Sequence, residues 1–236
     1  MLSNTLVVVL TCDLYLDTRV KSIQNTWGKL IDTIFLTDSE NSQKDIIGYN
    51  TPKNYDGIQD KYLNFFEKFN FEKYDYYFFV DDDTFINIEN LKSLKIPSSE
   101  DNFAYIRRLV LNPDGTDKDG NYTGYPMDKL RGHNIQLPLT HPSGGAGYIL
   151  SKKTTLEIKK YLEFAKDDTS LSGHGDVTLG FWLRNVGSNL IFSEDLWWEK
   201  PKECEPFGFN EKTFLTLHYV DEELMHKYNK KYNLNE

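Results

Sequence analysis

Tyr76-Tyr77-Phe78-Phe79-Val80-Asp81-Asp82-Asp83 joins a run of five aromatic and branched residues to three consecutive carboxylates. Such a run, bounded by polar residues, reads as a fully buried strand. Crowding three carboxylates at its end is costly, because like charges at close range oppose one another's ionisation. A divalent cation removes that cost, and hard oxygen ligands suit magnesium, calcium or manganese. A solvated acidic turn is the plain alternative for a triplet of this kind. The position favours the cation, because ligands bind at the strand ends of open α/β sheets.

Strand and helix signals alternate on either side. Upstream, Leu6 to Thr11 reads as a first strand. Val20, Ile23, Trp27 and Leu30 then recur at helical spacing, with Asp17 or Thr18 available as a cap. Ile31 to Thr37 is a second strand, and Ile58, Tyr62, Phe65, Phe66 and Phe69 share one helical face. This βαβαβ order predicts a mostly parallel, Rossmann-like sheet flanked by helices. Downstream, Asn87 to Leu94 suggests a short helix and Phe103 to Leu109 a strand.

Asn112 to His141 breaks the pattern with Gly, Asp, Pro and Asn throughout, and a loop of that length is usually functional or mobile. Its Asp117, Asp119 and Asn121 resemble the start of a calcium-binding loop. However, Tyr122 stands where glycine is required and no closing Glu follows at the right spacing. Gly147 to Leu150 is a further strand and Lys152 to Ala165 a helix, followed by an apolar stripe of Leu179, Trp182, Leu183 and Val186. From Trp197 onward the chain is aromatic and irregular. With no repeat or linker, the expectation is one domain over residues 1–236.

The 236 residues are 39% apolar and 14% aromatic, enough for an ordinary globular interior. Twenty-seven basic against 36 acidic side chains leave a formal charge of −9, a field that repels nucleic acid and anionic membranes. A phosphorylated ligand would therefore need a metal and a local basic spot. Cys12 and Cys204 are too few for a disulfide scaffold and lack zinc-site spacing. Leu6 to Leu10 is far shorter than the roughly 20 apolar residues that span a bilayer, and it lacks the basic flank of a signal peptide. The expectation is a cytoplasmic or soluble protein with no transmembrane segment.

Three further features bear on the aspartates. Ser143-Gly144-Gly145-Ala146-Gly147 either forms a tight turn or brings backbone N–H groups close to a ligand, and it fits neither the dinucleotide nor the phosphate-loop spacing. Gly173-His174-Gly175-Asp176 precedes the apolar stripe, so Asp176 can serve as a helix cap, as a general base, or as both. His218, in the alternating stretch Leu215 to Val220, is either structural or a neutral imidazole completing an oxygen-rich manganese site.

Together these segments resemble a known family. Thr11, Arg19, Thr26 and Trp27 reproduce the order T…R…TW of Fringe-like enzymes and core 1 β1,3-galactosyltransferases, members of glycosyltransferase family 31. VDDDTFINIENL from Val80 is similar to that family's DDD segment, SGGAGYILS from Ser143 to its SGGAG segment, and GDVTLGFWL from Gly175 to its EDVxLG segment. The late LHYV is similar to its histidine motif. The matches run in order across nearly the whole chain.

The resemblance implies a GT-A type fold, a UDP-sugar donor, a glycan or glycosylated-protein acceptor, and inversion to a β1,3 linkage. By motif position Asp83 and His218 would hold Mn2+, with Mg2+ as an alternative. Asp81 and Asp82 would lie near the ribose and the metal's waters, and Thr11 and Arg19 by the nucleotide. Ser143, Gly144, Gly145, Ala146 and Gly147 would lie by the donor sugar, and Asp176 would be the catalytic base. About 1–110 would form the nucleotide-binding part and about 111–236 the acceptor-binding part. Trp182, Trp197 and Trp198 are candidates for stacking on acceptor sugars, with core packing the alternative for Trp182.

One departure is Gly175, where relatives usually carry an acid. The disulfides and membrane anchor of animal Golgi members are also missing. Rival readings are a non-catalytic nucleotide-sugar or glycan-binding module and a metal-dependent phosphohydrolase.

Overall fold

In the computed structural model the aromatic run is the strand at the middle of the sheet. The structure describes residues 4–40, 42–53, 56–125, 127, 135–165 and 174–234. Residues 126 and 128–134 of the long loop, and Gly173, lie outside them. Strand β4 (Tyr76–Asp81) pairs parallel with β1 (Thr5–Leu10), with Val8 opposite Phe79 and Leu10 opposite Asp81. On its other side it runs antiparallel to β9 (Tyr148–Ser151), with Phe79 opposite Tyr148. The seven-stranded sheet is completed by β2 (Thr33–Thr37), β3 (Ile46–Gly48), β6 (Phe103–Ile106) and β10 (Asn189–Phe192), in the order β10-β6-β9-β4-β1-β2-β3. Only β9 opposes its neighbours, so the expected mostly parallel sheet is present.

Both faces are covered, which is why β4 reads as a continuous apolar run rather than an alternating one. The two-residue period sends Tyr77 and Phe79 to one face and Phe78 and Val80 to the other. On the first face α2 (Asp56–Lys68) and α5 (Gly175–Asn185) pack against the strand. Phe66 stacks on Phe79 at 5.7 Å between ring centroids, and Trp182 meets Phe66 edge-on at 5.7 Å. On the second face sit Trp27, Ile88, Trp197 and Phe214. Trp182 and Trp197 are therefore core residues, and only Trp198 of the three candidate stacking tryptophans reaches the cleft described below. Among the described residues, no helix is long and apolar enough to cross a membrane.

Three local expectations change. The helix expected from Val20 to Leu30 is broken into a wide π turn (Leu16–Val20), α1 (Lys21–Asn25) and a 3-10 turn (Trp27–Lys29). Neither Asp17 nor Thr18 caps it: Asp17 pairs with Lys21 at 2.6 Å and Thr18 Oγ1 points to the Tyr15 carbonyl. The strand expected from Phe103 to Leu109 stops at Ile106. Arg108–Leu111 (β7) then leaves the sheet to pair with Leu139–Pro142 (β8), so the long loop is closed by a two-stranded ladder. Only Thr216–Leu217 (β12) of the Leu215 to Val220 stretch is strand, pairing with Phe85–Ile86 (β5).

Gly147, just ahead of β9, has φ +80°, and an added Cβ there would lie 2.9 Å from the Phe79 carbonyl oxygen. Gly147→Ala is expected to lower the urea midpoint at unchanged m-value, costing about 1–3 kcal/mol. An unchanged midpoint would show that this turn does not constrain the sheet.

Candidate active site

Chain direction places the charged residues together. The carboxyl ends of β1 and β4 are neighbours, so Thr11 and the aspartates emerge side by side. Asp82 is turned inward and only 5% exposed. Thr11 Oγ1 donates to its Oδ2 at 2.7 Å and Arg19 Nη1 to its Oδ1 at 2.6 Å; the same nitrogen is 3.2 Å from Asp83 Oδ2. Asp82 thus ties the π turn carrying Arg19 to the strand ends, and the guanidinium lies 4.2 Å over the Tyr15 ring. Below them Lys61 of α2, 5% exposed, donates from Nζ to the Thr11 carbonyl at 2.6 Å. Burial lowers its pKa, against the pull of Asp38, Cys12, Asp82 and Asp81.

Asp83 and Asp81 meet His218 across the cleft floor. His218 Nε2 is 3.1 Å from Asp83 Oδ1 and 3.7 Å from Asp81 Oδ2, and one ligand-type atom of each lies within 4.8 Å of the others. His218 Nδ1 sits 3.2 Å from the Trp198 carbonyl, which suits a proton on Nδ1 and makes Nε2 the nitrogen that faces the carboxylates. The Val220 N–H donates to the Asp83 carbonyl at 2.9 Å, fixing the two segments together. Two carboxylates and an imidazole, converging from separate segments, form a donor set that fits manganese or magnesium.

The electrostatics favour a positive charge at this point. Asp81 keeps 38% of its side chain open to the cleft, where water screens its neighbours. Burial of the rest, with Asp83 and Asp82 nearby, nevertheless pushes its carboxyl up to about 7, against the opposing pull of His218. Burial would raise Asp83 too, but hydrogen bonding to His218 and the charges of His218 and Arg19 bring it below the usual range. The His218 imidazole is raised: burial opposes its charge, and Asp83 and Asp81 more than offset that. Proton uptake relieves the crowding in the absence of a cation.

The Ser143 to Gly147 segment is a tight turn and also borders the cleft, so the two readings of its sequence coexist. The Gly147 N–H bonds the Gly144 carbonyl at 2.9 Å, and Thr84 and Thr216 hydroxyls donate to the Gly145 and Ala146 carbonyls at 3.0 and 2.6 Å. Ser143 is buried, its N–H bonding the Arg107 carbonyl. Gly145 lies flat against His218, where an added Cβ would fall 2.1 Å from the imidazole. The same construction at Gly144 comes within 3.7 Å of Asp176 Cβ. The glycines therefore separate the histidine from Asp176 by little more than a backbone's thickness.

Asp176 is in the first turn of α5, whose N-cap is His174, so it does not cap the helix. Its Oδ1 accepts from the Val177 N–H at 2.8 Å and its Oδ2 from the Tyr125 hydroxyl at 3.2 Å, with His141 Nδ1 3.8 Å from Oδ2. Its side chain is 19% exposed, into the cleft. At Gly175 an added Cβ would lie 2.2 Å from the Tyr62 ring, so an acid at this position is incompatible with Tyr62 as packed here.

The cleft has a volume of about 810 Å³ and is bordered by Asp81, His218, Gly144, Gly145, Asp176 and Trp198. Lys61, Tyr125 and His141 were not picked out from the sequence. Lys61 had a readable signal, a cation beside Tyr62 in an otherwise aromatic helical stripe, whereas Tyr125 and His141 lie at the two sides of an irregular loop.

Several solved structures are similar to the chain at low identity. A galactosyltransferase, LgtC, solved with donor and acceptor sugar analogs, matches at 10% identity and TM-score 0.47 over 96% of each chain. The apo glycosyltransferase GlyE of Streptococcus pneumoniae TIGR4 matches at 9% identity and TM-score 0.48 over 95% of this chain and 59% of that one. The bifunctional glycosyltransferase WbbM matches at 12% and 0.49, over 96% and 50%. At the level of sequence, the Fringe-like family model matches residues 1–235. With a match spanning almost its entire length, the chain belongs to the Fringe-like family of glycosyltransferases.

Proposed function

We propose that the chain is an inverting, metal-dependent enzyme. It moves a hexose or N-acetylhexosamine from a UDP-sugar to a hydroxyl of a glycan or glycosylated-protein acceptor, forming a β1,3 linkage. The observation that carries this reading is the convergence on one cleft of a metal-type cluster and a separate, accessible carboxylate. The reading takes the chain as one GT-A type domain, with about 1–110 serving the nucleotide and about 111–236 the acceptor.

Asp81, Asp83 and His218 would hold manganese or magnesium. When bound, the ion supplies Lewis-acid charge against the diphosphate and against the charge developing on departing UDP. Arg19, already oriented by Asp82 and Thr11, adds a second positive group in an otherwise acidic protein. The Ser143 to Gly147 backbone lets the donor sugar approach without side-chain obstruction. Asp176 accepts the acceptor hydroxyl proton as that oxygen bonds the anomeric carbon and the bond to UDP breaks. Attack from the face opposite the leaving group inverts the carbon in one displacement.

Three outcomes are expected. Asp176→Asn should lower transfer about 10³-fold or more while UDP affinity in manganese stays unchanged by calorimetry; equal loss of both would contradict the division of roles. Asp83→Ala should lose manganese-dependent UDP affinity, and a wild-type protein indifferent to EDTA would refute the metal site. Because ligand groups must shed protons, the raised Asp81 and His218 imply manganese affinity that is weak below pH 7 and grows as pH rises through it. PH-independent binding between pH 6 and 8 would contradict that ligand set. Phosphate release from simple esters without an acceptor would indicate a phosphohydrolase instead.

A further inference from the structure

The carboxylate of Asp176 is gripped from two directions. Oδ1 accepts from the Val177 N–H and Oδ2 from the Tyr125 hydroxyl, and a carboxylate oxygen with two lone pairs keeps capacity for a substrate hydroxyl. Tyr125 is not a loose surface residue. Its ring stands edge-on to His174 at 4.7 Å and 86°, and to His141 at 5.5 Å and 83°. His141 is 1% exposed, its Nδ1 lies 2.9 Å from the Pro142 carbonyl, and α5 packs against it so closely that a Cβ on Gly180 would fall 2.4 Å from its own Cβ. Burial lowers the His141 pKa, against the raising pull of Asp176, so this wall stays neutral near pH 7.

The segment leading to Tyr125 is itself anchored. Asp117 Oδ1 accepts from the N–H groups of Asp119 and Asn121 at 2.8 Å each, and Thr123 bonds the Gly115 carbonyl through both its N–H and its hydroxyl. Asp117, Asn121, Thr123 and Tyr125 all border the cleft. Tyr125 therefore joins the loop forming one wall of the cleft to the carboxylate at its centre.

We infer that Tyr125 is a positioning residue for the general base: its hydroxyl orients Asp176, linking the loop 112–125 to the proton-accepting step. This rests on Asp176 being the base. Among the described residues, the other titratable groups facing Asp176 are Tyr62 of α2, Tyr148 of β9, Asp81 of β4 and His141 of β8, with His174 beside Tyr125. All of them remain in place when only the Tyr125 hydroxyl is removed.

The hydroxyl ties the carboxylate to the loop, so its removal is expected to slow transfer without weakening donor binding. The test uses the full chain with manganese. UDP-galactose, UDP-glucose and UDP-N-acetylglucosamine are supplied as donors with a mixture of sugar acceptors, and UDP release is followed at one fixed pH. Tyr125→Phe keeps the ring and is expected to lower kcat about 10-fold and leave the donor KM within about two-fold. Fluorotyrosine at position 125 keeps a hydroxyl donor in nearly the same shape and should hold kcat within about two-fold. Tyr125→Leu, which also lacks the hydroxyl, serves if the Phe variant does not fold. An unchanged kcat without the hydroxyl, a comparable loss with fluorotyrosine, or a loss of donor affinity in place of kcat overturns the inference. Asp176→Asn separates the two readings: retained transfer in that variant removes the base itself, whereas its inactivity beside an unaltered Tyr125→Phe kcat removes only the role of Tyr125.

Discussion

Carboxylate crowding at the end of β4 is the constraint around which the rest of the site is arranged. Three acids in a row on a protein of formal charge −9 would repel one another and any phosphorylated ligand. The fold divides them. Asp82 is turned inward and neutralised by Arg19 and Thr11, where it works as an internal tie. Asp81 and Asp83 face His218; burial, with the neighbouring acids, raises Asp81, while the imidazole steadies Asp83. What remains is a small region of negative charge bordered by the Arg19 guanidinium, the setting in which a cation and a diphosphate stabilise each other.

Separation of charge roles follows from backbone rather than from distance. The Ser143 to Gly147 turn passes between His218 and Asp176, and at Gly145 no side chain fits, because a Cβ there would fall 2.1 Å from the imidazole. A metal-type cluster and a free carboxylate can thus share one cleft without merging into a single acidic patch. The same economy of space bears on Gly175. Tyr62, hydrogen-bonded to Tyr148 deep in the core, occupies the volume that a side chain at 175 would need. The departure from the usual family acid is therefore matched by a packing partner, and Asp176 keeps its own position in the first turn of α5.

Much of this was legible in the chain. Buried parallel strands announce themselves as unbroken apolar runs, so β1, β2 and β4 were readable, as was the aromatic face of α2. Segments held by long-range bonds were not. Arg19 sits in a π turn whose helical periodicity concealed its break, and β7 and β8 are four-residue strands flanking a long irregular loop. Cap chemistry also misled: Asp17 and Asp176 carry the right functional groups, yet one pairs with Lys21 and the other lies inside the first turn.

The amino-acid sequence alone determined the layered α/β architecture and the placing of acids at a strand end, and the resemblance to a known family singled out the histidine and glycines that accompany them. The first two follow from hydrophobic period and residue chemistry, which are local. Only the tertiary structure decided that Asp81 rather than Asp82 faces His218, that Lys61 lies beneath Thr11, and that Tyr125 and His141 flank Asp176. Those pairings join residues 35 to 137 positions apart, and no short-range pattern encodes which side of a strand end or which loop will meet another once the sheet is assembled.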